Sequence, residues 1–225
     1  ADAIKFQTYI TEKRVKKKYK KIFNILKKCE LKFKEFKLIK DYCKSKKITF
    51  FSTPFDKESV QYLNHINVKQ FKIASFDIGN YDLINEILKA GKPTIVSTGM
   101  AKLKEIDKIH RIFKLKKVKL SILHCVSSYP NKDVSSYLSN IDFLKKRYKR
   151  DIGISDHTND IKIPIYGKLL GAKIIEKHLK IDQHHKCVDA PVSITGRQFK
   201  DLRDEIDRID HIFGKISFGV RREEN

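Results

Sequence analysis

The sequence predicts an α/β protein with the (β/α)8 TIM-barrel fold, from which one βα unit is missing. Short apolar runs alternate with amphipathic helical segments along the whole chain. The runs are continuous and rich in β-branched residues, as expected for parallel strands that are buried on both faces. Seven such units in series favour a barrel, and an eighth unit before Ala1 would complete it. An open flavodoxin-like sheet is the alternative, although no glycine-rich phosphate-binding motif supports it.

The predicted strands are short, and most end in polar residues. In chain order they are AIKFQTY (3–9), ITFFSTP (48–54), FKIAS (71–75), PTIVSTG (93–99), VKLSILHCVSS (118–128), DIGIS (151–155) and KIIEKHLKI (173–181). The segments between them have helical periodicity, and Gly91 is a typical helix stop. These segments are a basic region that extends to about residue 47, then 56–66, 81–91, 102–115, 137–149, 161–172 and 195–213.

The net charge of +22 is concentrated in part in the lysine-rich segments 13–28 and 32–47. Such a surplus permits a polyanion partner. Apolar residues at helical spacing, such as Ile22 and Tyr42, favour instead solvated helix faces that carry the lysines. The four cysteines lack CxxC or metal-finger spacing, and no apolar run approaches the ~18 residues of a membrane span. We therefore expect a cytoplasmic protein that has no membrane partner. We do not expect nucleic acid to be its ligand.

Polar groups follow every predicted strand, where a parallel barrel places its active site. Their convergence on one mouth predicts a binding site, because a structural protein has no need of polar groups at every strand end. Cations and hydroxyls such as Lys5, Lys72 and Ser97 are suited to a phosphate or a carboxylate. His157 and His178 follow adjacent strands and are candidates for a shared metal ion. The strand-end set comprises Lys5, Gln7, Ser52, Thr53, Lys72, Ser75, Ser97, Thr98, His124, Ser127, Tyr129, Ser155, Asp156, His157, Glu176, Lys177 and His178.

The stretch IGISDHTND (152–160) contains a serine, an aspartate and a histidine in succession. These residues do not form a hydrolase triad, because neighbours in a strand point to opposite faces. Ser155 and His157 are expected to share the site, while Asp156 points elsewhere. In the next strand, a surface salt bridge between Glu176 and Lys177 is the simplest structural interpretation.

Eight segments in order resemble the sialic acid synthase family, which makes N-acetylneuraminic, legionaminic and pseudaminic acids. They are KFQTY, FFSTPFD, FKIASFD, GKPTIVSTGMA, LHCVSSYP, IGISDHT, EKHLKID and VDAPVSI, and the resemblance covers residues 1 to about 220. It implies a TIM-barrel domain over residues 1–215, incomplete at its N-terminus. It also implies that residues 216–225 begin a linker to an absent C-terminal antifreeze-like domain, and that the full-length protein is a homodimer.

The resemblance also implies a reaction, in which phosphoenolpyruvate condenses with an N-acetylmannosamine-like sugar and phosphate is released. Two histidines of the family, which match His157 and His178, hold a divalent metal, Mn²⁺ or Mg²⁺. Asp77 stands where many members carry Glu, and Ser127 where some carry Asn. Positions that hold phosphoenolpyruvate match Lys5, Thr53, Lys72, Ser75, Ser97, Ser127 and Ser155, and positions that contact the sugar or assist proton transfer match Gln7, Asp77, Tyr129 and Asp189. Lys72, Asp77 and Tyr129 are the expected catalytic residues.

Two other functions remain open from the residues. The basic segment 13–47 would suit an inactive relic barrel that binds a polyanion or nucleic acid. A related barrel aldolase would instead form a Schiff base through Lys72 or Lys177.

Overall fold

The computed structural model describes residues 1–214, 216 and 218–220. Eight parallel strands form one sheet in the chain order β1 to β8. The strands are β1 Ala3–Thr8, β2 Thr49–Pro54, β3 Phe71–Ile73, β4 Thr94–Ser97, β5 Leu120–Cys125, β6 Ile152–Asp156, β7 Ile174–Leu179 and β8 Ser193–Ile194.

Helices connect consecutive strands, as in a TIM barrel. They are α1 Thr11–Arg14, α2 Lys20–Cys29, α3 Phe33–Ser45, α4 Lys57–His65, α5 Tyr81–Lys89, α6 Leu103–Leu115, α7 Ser139–Tyr148, α8 Lys162–Leu169 and α9 Gly196–Phe213. Short 3-10 turns cover Ser75–Asp77, Asp133–Ser135 and Ala190–Val192. Side-chain caps fix several starts: Asp56 accepts from Ser59 N at the start of α4, and Asn80 from Leu83 N at the start of α5.

All seven predicted strands are present, and the α/β barrel-like architecture is confirmed. The eighth strand, β8, lies in a segment that the sequence indicated to be a loop. It has only two residues, too few for periodicity, and it is defined by its pairing of Ser193 and Ile194 with His178 and Leu179 of β7. A further unit before Ala1 stays a prediction, as does the linker over 216–225, of which residues 217 and 221–225 lie outside the described part.

The two faces of the sheet differ in composition. The outer face packs on the helices through a large apolar core that includes Phe71, Ile122 and Ile154. The inner face has only a small apolar layer, formed by Phe51, Ile95 and Leu123, against which Ala3 and Ile174 pack. The carboxyl ends of the strands continue this inner face with polar side chains, so the site lies above the small apolar layer.

The sheet is curled so that β1 and β7 approach each other through their side chains. Lys5 on β1 is 3.3 Å from the carboxylate of Glu176 on β7. Arg203 of α9 binds Asp2, immediately before β1, at 2.7 Å. Among the described residues no backbone pairing joins these two strands, so side-chain contacts close this side of the barrel.

The lysine-rich segments form α2 and α3 on the outside of the barrel. Helix α2 buries none of its residues, and Ile22 is 54% exposed. Helix α3 buries Phe36 but leaves Tyr42 largely exposed. Most side chains of α2 and α3 are thus exposed or only partly buried, which agrees with the expectation that these helices present solvated, lysine-bearing faces. In the described part of the chain, no helix has both the length and the apolar character that a membrane span requires.

Candidate functional site

Side chains from five strands meet on the inner face around the carboxylate of Glu176. Lys5 Nζ lies 3.3 Å and Lys72 Nζ 3.7 Å from Glu176 Oε1. The Ser155 hydroxyl donates to the same oxygen at 2.9 Å, and Lys72 donates to Ser97 Oγ at 2.6 Å. We call these five residues the lysine cluster. The structure therefore brings together four residues that were predicted to bind a ligand. The fifth member, Glu176, was not among the residues predicted to bind one.

The lysine cluster is strongly coupled electrostatically. Burial alone raises the pKa of Glu176, but Lys5, Lys72 and the Ser155 hydroxyl together lower it to about 2. Lys72 is 2% exposed. Burial lowers its pKa to about 8 although Glu176 opposes the shift. At neutral pH the cluster has two ammonium groups and one carboxylate, and its net positive charge suits an anionic ligand.

Asp156 and Lys177, which follow Ser155 and Glu176 in their strands, face outward and form a separate ion pair. Lys177 Nζ is 2.6 Å from Asp156 Oδ2, and both side chains are almost fully buried. Thr158 donates to Asp156 through its backbone N–H and its hydroxyl, and its carbonyl accepts from Lys177. The sequence interpretation of a surface pair between Glu176 and Lys177 is wrong, because alternation along β7 places the two side chains on opposite faces.

A second group of predicted residues surrounds Gly99, just after β4. The backbone N–H of Gly99 donates to Ser75 Oγ at 3.1 Å, and the Ser75 hydroxyl lies 3.5 Å from Cys125 Sγ. A Cβ atom on Gly99 would overlap Ser127 Oγ and lie 2.9 Å from Ser75 Oγ. Glycine at position 99 therefore allows two predicted serines to converge beside the lysine cluster.

The two predicted metal ligands lie close to each other, with ring centroids 5.4 Å apart. Tyr129 stacks on His157 at 4.1 Å, and the Tyr129 hydroxyl is 2.8 Å from His157 Nε2. The carboxylate of Asp189 lies 3.5 Å from His178 Nδ1. Burial raises the pKa of Tyr129, so the phenol is neutral at physiological pH. We call these four residues the histidine cluster.

The donor set of the histidine cluster fits a metal that is held by two imidazoles. His157 Nδ1 donates to the carbonyl of Val126 at 2.7 Å, which leaves Nε2 as the ligand atom. Burial lowers the pKa of His178 to about 4, so this ring is neutral, as a ligand must be. Burial also lowers the pKa of His157, but Cys125 and the Val126 carbonyl raise it above its ordinary value, so metal binding competes with protonation there. Within the described residues no third His, Cys, Asp or Glu completes a preformed site.

The remaining predicted residues lie nearer the mouth. Gln7 is two residues beyond Lys5 on β1, and its side-chain oxygen accepts from Arg14 Nη1 at 3.2 Å. Asp77 is 8% exposed; its Oδ1 accepts from Asn80, while Oδ2 has no hydrogen-bond partner. Thr53 is 2% exposed, and its hydroxyl also lacks a partner. Unpartnered buried polar atoms are costly unless a ligand or water satisfies them.

Besides Asp156, which was expected to point away from the site, four of the strand-end polar residues make structural contacts instead. Ser52 bonds Thr8 at 2.7 Å, Thr98 donates to the Leu123 carbonyl, and His124 bonds the Ser136 carbonyl at 2.7 Å. Lys177 forms the outer ion pair with Asp156. The expectation that polar groups of every strand converge is thus correct for the inward residues and wrong for these four.

The sequence analysis placed Glu176 among the strand-end residues but interpreted it as a surface partner of Lys177, and it did not single out Arg14. Alternation assigns Glu176 to the site, since it precedes His178 by two residues in β7 and must share its face. Arg14 had no such signal, because it lies in a lysine-rich helical segment where one more cation is not distinctive. Tertiary packing places Arg14 over Phe55 and Phe76, at the ends of β2 and β3.

The sequence profile of the NeuB family matches residues 1–217. An uncharacterised protein of Methanocaldococcus jannaschii is 38% identical over 95% of this chain and 64% of its own length. The N,N'-diacetyllegionaminic acid synthase of Campylobacter jejuni is 34% identical over 95% of this chain and 69% of its own length. The chain thus spans about two thirds of the length of these relatives.

A solved structure gives the same result for the fold. The crystal structure of an N-acetylneuraminic acid synthetase from Leptospira borgpetersenii, in complex with citrate, superposes with a TM-score of 0.94 at 39% identity. The alignment covers 100% of this chain and 78% of the Leptospira chain.

Proposed function

Because this chain belongs to the NeuB family, we propose that it condenses phosphoenolpyruvate with an N-acetylmannosamine-like sugar to form a nonulosonic acid. The enol carbon of phosphoenolpyruvate forms a bond to the aldehyde carbon of the open-chain sugar, and the aldehyde oxygen takes up a proton. Water adds to the cationic carbon that bears the phosphate ester. Loss of inorganic phosphate then leaves a 2-keto acid. The observation that carries the proposal is the lysine cluster, in which the side chains of Lys5 and Glu176 stay 20% and 16% exposed.

The lysine cluster is suited to the trianionic substrate. Lys5 and Lys72 are cations with partly satisfied hydrogen bonding, and Ser97 and Ser155 supply hydroxyl donors beside them. Ser75, Ser127 and Thr53 add hydroxyls from neighbouring strand ends, and the Thr53 hydroxyl is buried without a partner. Glu176 holds the two ammonium groups in place and keeps the unliganded cluster from excessive positive charge.

The histidine cluster is suited to the sugar aldehyde. The neutral Tyr129 hydroxyl lies 2.8 Å from His157 Nε2. This hydrogen bond would be displaced by a metal on that nitrogen, which would leave the phenol free to donate its proton to the oxygen that becomes a hydroxyl group. Asp189 and Asp77 offer carboxylate acceptors for sugar hydroxyls, and Asp189 also orients His178. A divalent cation, Mn²⁺ or Mg²⁺, held by His157 and His178, would supply Lewis-acid polarisation of the aldehyde.

The test is an assay of phosphate release from phosphoenolpyruvate with candidate N-acetylated amino sugars and manganese. We expect release that needs both substrates, and we expect His157→Ala and His178→Ala each to abolish the metal-dependent rate while the fold is retained by circular dichroism. Full activity of either variant would refute the metal assignment. Absence of turnover together with salt-sensitive binding of nucleic acid would favour the relic barrel, which the matched synthases do not support.

One observation favours a second candidate, a Schiff-base aldolase. The lowered pKa of Lys72 is a property that nucleophilic lysines share. Lys177, the other candidate, is buried in the outer pair with Asp156 and is unsuited to the role. Borohydride trapping of pyruvate separates the two chemistries: a stable adduct on Lys72 would contradict the condensation, in which no covalent enzyme intermediate forms. The cytoplasmic location and the homodimer stay predictions.

A further inference from the structure

Arg14, at the end of α1, lies over an aromatic platform at the mouth of the barrel. Its guanidinium carbon is 3.7 Å from the ring centroid of Phe55 and 4.7 Å from that of Tyr9. Phe55, which follows β2, stacks on Phe76 at 5.6 Å and 8°, and Phe76 lies between Ser75 and Asp77. The stacking fixes the plane of the guanidinium and joins the loops after three strands.

The polar surroundings of Arg14 are those of the proposed sugar site. Its Nη1 donates to Gln7, and Asp77 and Asp189 act on it electrostatically. Within the described residues the one side-chain hydrogen bond of Arg14 is that to Gln7, so most of its five N–H donors are not held by a protein group. The unpartnered Oδ2 of Asp77 lies in the same region. Donors and acceptors are therefore both available at one place.

We propose that Arg14 binds the sugar substrate and selects an uncharged acylamino sugar, to whose hydroxyl or acyl oxygen atoms its guanidinium donates. The inference rests on the proposed function and adds a residue to it. Gln7 is one step nearer the mouth than Lys5 along the inner face of β1, so Arg14 lies above the lysine cluster and not within it. It therefore contacts the second substrate.

The charge balance at this position favours a neutral ligand. Asp77 and Asp189 offset the single positive charge of Arg14 and would repel an added phosphate or carboxylate. A neutral sugar can instead accept from Arg14 and donate to Asp77, which satisfies both groups. The lysine cluster beneath, with two cations and one carboxylate, has the opposite balance and receives the anionic substrate.

The test is steady-state phosphate release with Arg14→Ala, Arg14→Lys and the control Lys13→Ala, with N-acetylmannosamine as the sugar. Lys13 is the preceding residue, is exposed, and pairs with Glu58 on the outside. We expect Arg14→Ala to raise KM for the sugar about 10-fold to 100-fold, as for loss of a charged hydrogen bond, with KM for phosphoenolpyruvate changed less than twofold. Arg14→Lys should give an intermediate value, because an ammonium group cannot reproduce the planar fork, and Lys13→Ala should match the unaltered protein.

An unchanged KM for the sugar in Arg14→Ala, or an increase confined to phosphoenolpyruvate, would overturn the assignment while leaving the proposed function intact. A preference of the unaltered protein for a 6-phosphorylated sugar that Arg14→Ala abolishes would also overturn it. If the preparation has no activity, calorimetric titration with N-acetylmannosamine alone still tests the proposal. Binding of the sugar by the unaltered protein that is lost in Arg14→Ala supports the role of Arg14. No release and no sugar binding by the unaltered protein would sink both proposals.

Discussion

Strand β7 takes part in two lysine–carboxylate arrangements, one on each face of the sheet. On the outer face, Lys177 lies 2.6 Å from Asp156, and Thr158 makes further hydrogen bonds to both groups. On the inner face, Glu176 is 3.3 Å from Lys5 and 3.7 Å from Lys72. The outer pair is almost fully buried, whereas the inner cluster has longer ammonium–carboxylate contacts, and its Lys5 and Glu176 side chains stay partly exposed.

The difference separates a structural ion pair from a cluster that we propose to bind a ligand, although both are built from the same residue types. A buried pair with all its hydrogen bonds made has no capacity for a ligand. The inner cluster has two cations for one carboxylate, and burial lowers the pKa of Lys72 because its solvation is incomplete. Strand alternation alone assigns consecutive residues, such as Glu176 and Lys177, to these opposite roles.

The largest effect is expected from Lys177→Met, which leaves the Asp156 carboxylate buried without its counterion. Breaking a buried pair in this way costs about 3–5 kcal/mol, and we expect that loss in the free energy of unfolding measured with urea. The double variant Asp156→Leu/Lys177→Met should recover most of the stability. A single variant as stable as the parent would show that the outer pair has no structural role.

Lys72→Met tests the inner cluster, where we expect a loss of ligand affinity and little loss of stability. We expect phosphoenolpyruvate affinity to fall about 10-fold to 100-fold, because a charge-assisted contact worth about 1.5–3 kcal/mol is lost. The free energy of unfolding should change by less than about 1 kcal/mol, since Glu176 keeps Lys5 and Ser155 as partners. Calorimetric titration and urea unfolding of the same preparation measure both. If Lys72→Met strongly lowered the free energy of unfolding and left the affinity for phosphoenolpyruvate unchanged, the inner cluster would be a structural ion pair like the outer one.

The sequence predicted most of the fold because buried parallel strands leave a strong pattern of continuous apolar runs. Alternation then predicted that Ser155 and His157 share a face and that Asp156 does not, and the structure bears this out. The same rule was not applied to β7, so Glu176 was left out of the predicted set of ligand-binding residues. Arg14 and β8 could not be predicted, because tertiary contacts between distant segments define them.

Gly99→Ala tests whether the inner face is shaped around an open space. The added methyl group would overlap Ser127 Oγ and crowd Ser75 Oγ, and overpacking of this kind costs about 1–3 kcal/mol. We expect the rate of phosphate release to fall about 10-fold or more. Gly79→Ala is the matched control, because nothing lies within 4 Å of its added Cβ. Equal activity of the two variants would show that the serines near Gly99 do not contact substrate.

The effect of pH on the affinity for phosphoenolpyruvate is expected to be the smallest, and we attribute it to the titration of Lys72. Burial lowers the pKa of Lys72 to about 8 in the unliganded protein, so the ammonium is present below that pH and is lost above it. Affinity for phosphoenolpyruvate should therefore be constant near pH 7 and about tenfold weaker at pH 9, one unit above this pKa. Calorimetric titration across this range measures it, with Lys72→Met as the control, in which the decline should be absent. An affinity that is unchanged up to pH 9.5 would show that Lys72 keeps an ordinary lysine pKa. The ammonium group of Lys72 would then be as well solvated as a surface lysine, or as fully paired as Lys177 in the outer ion pair.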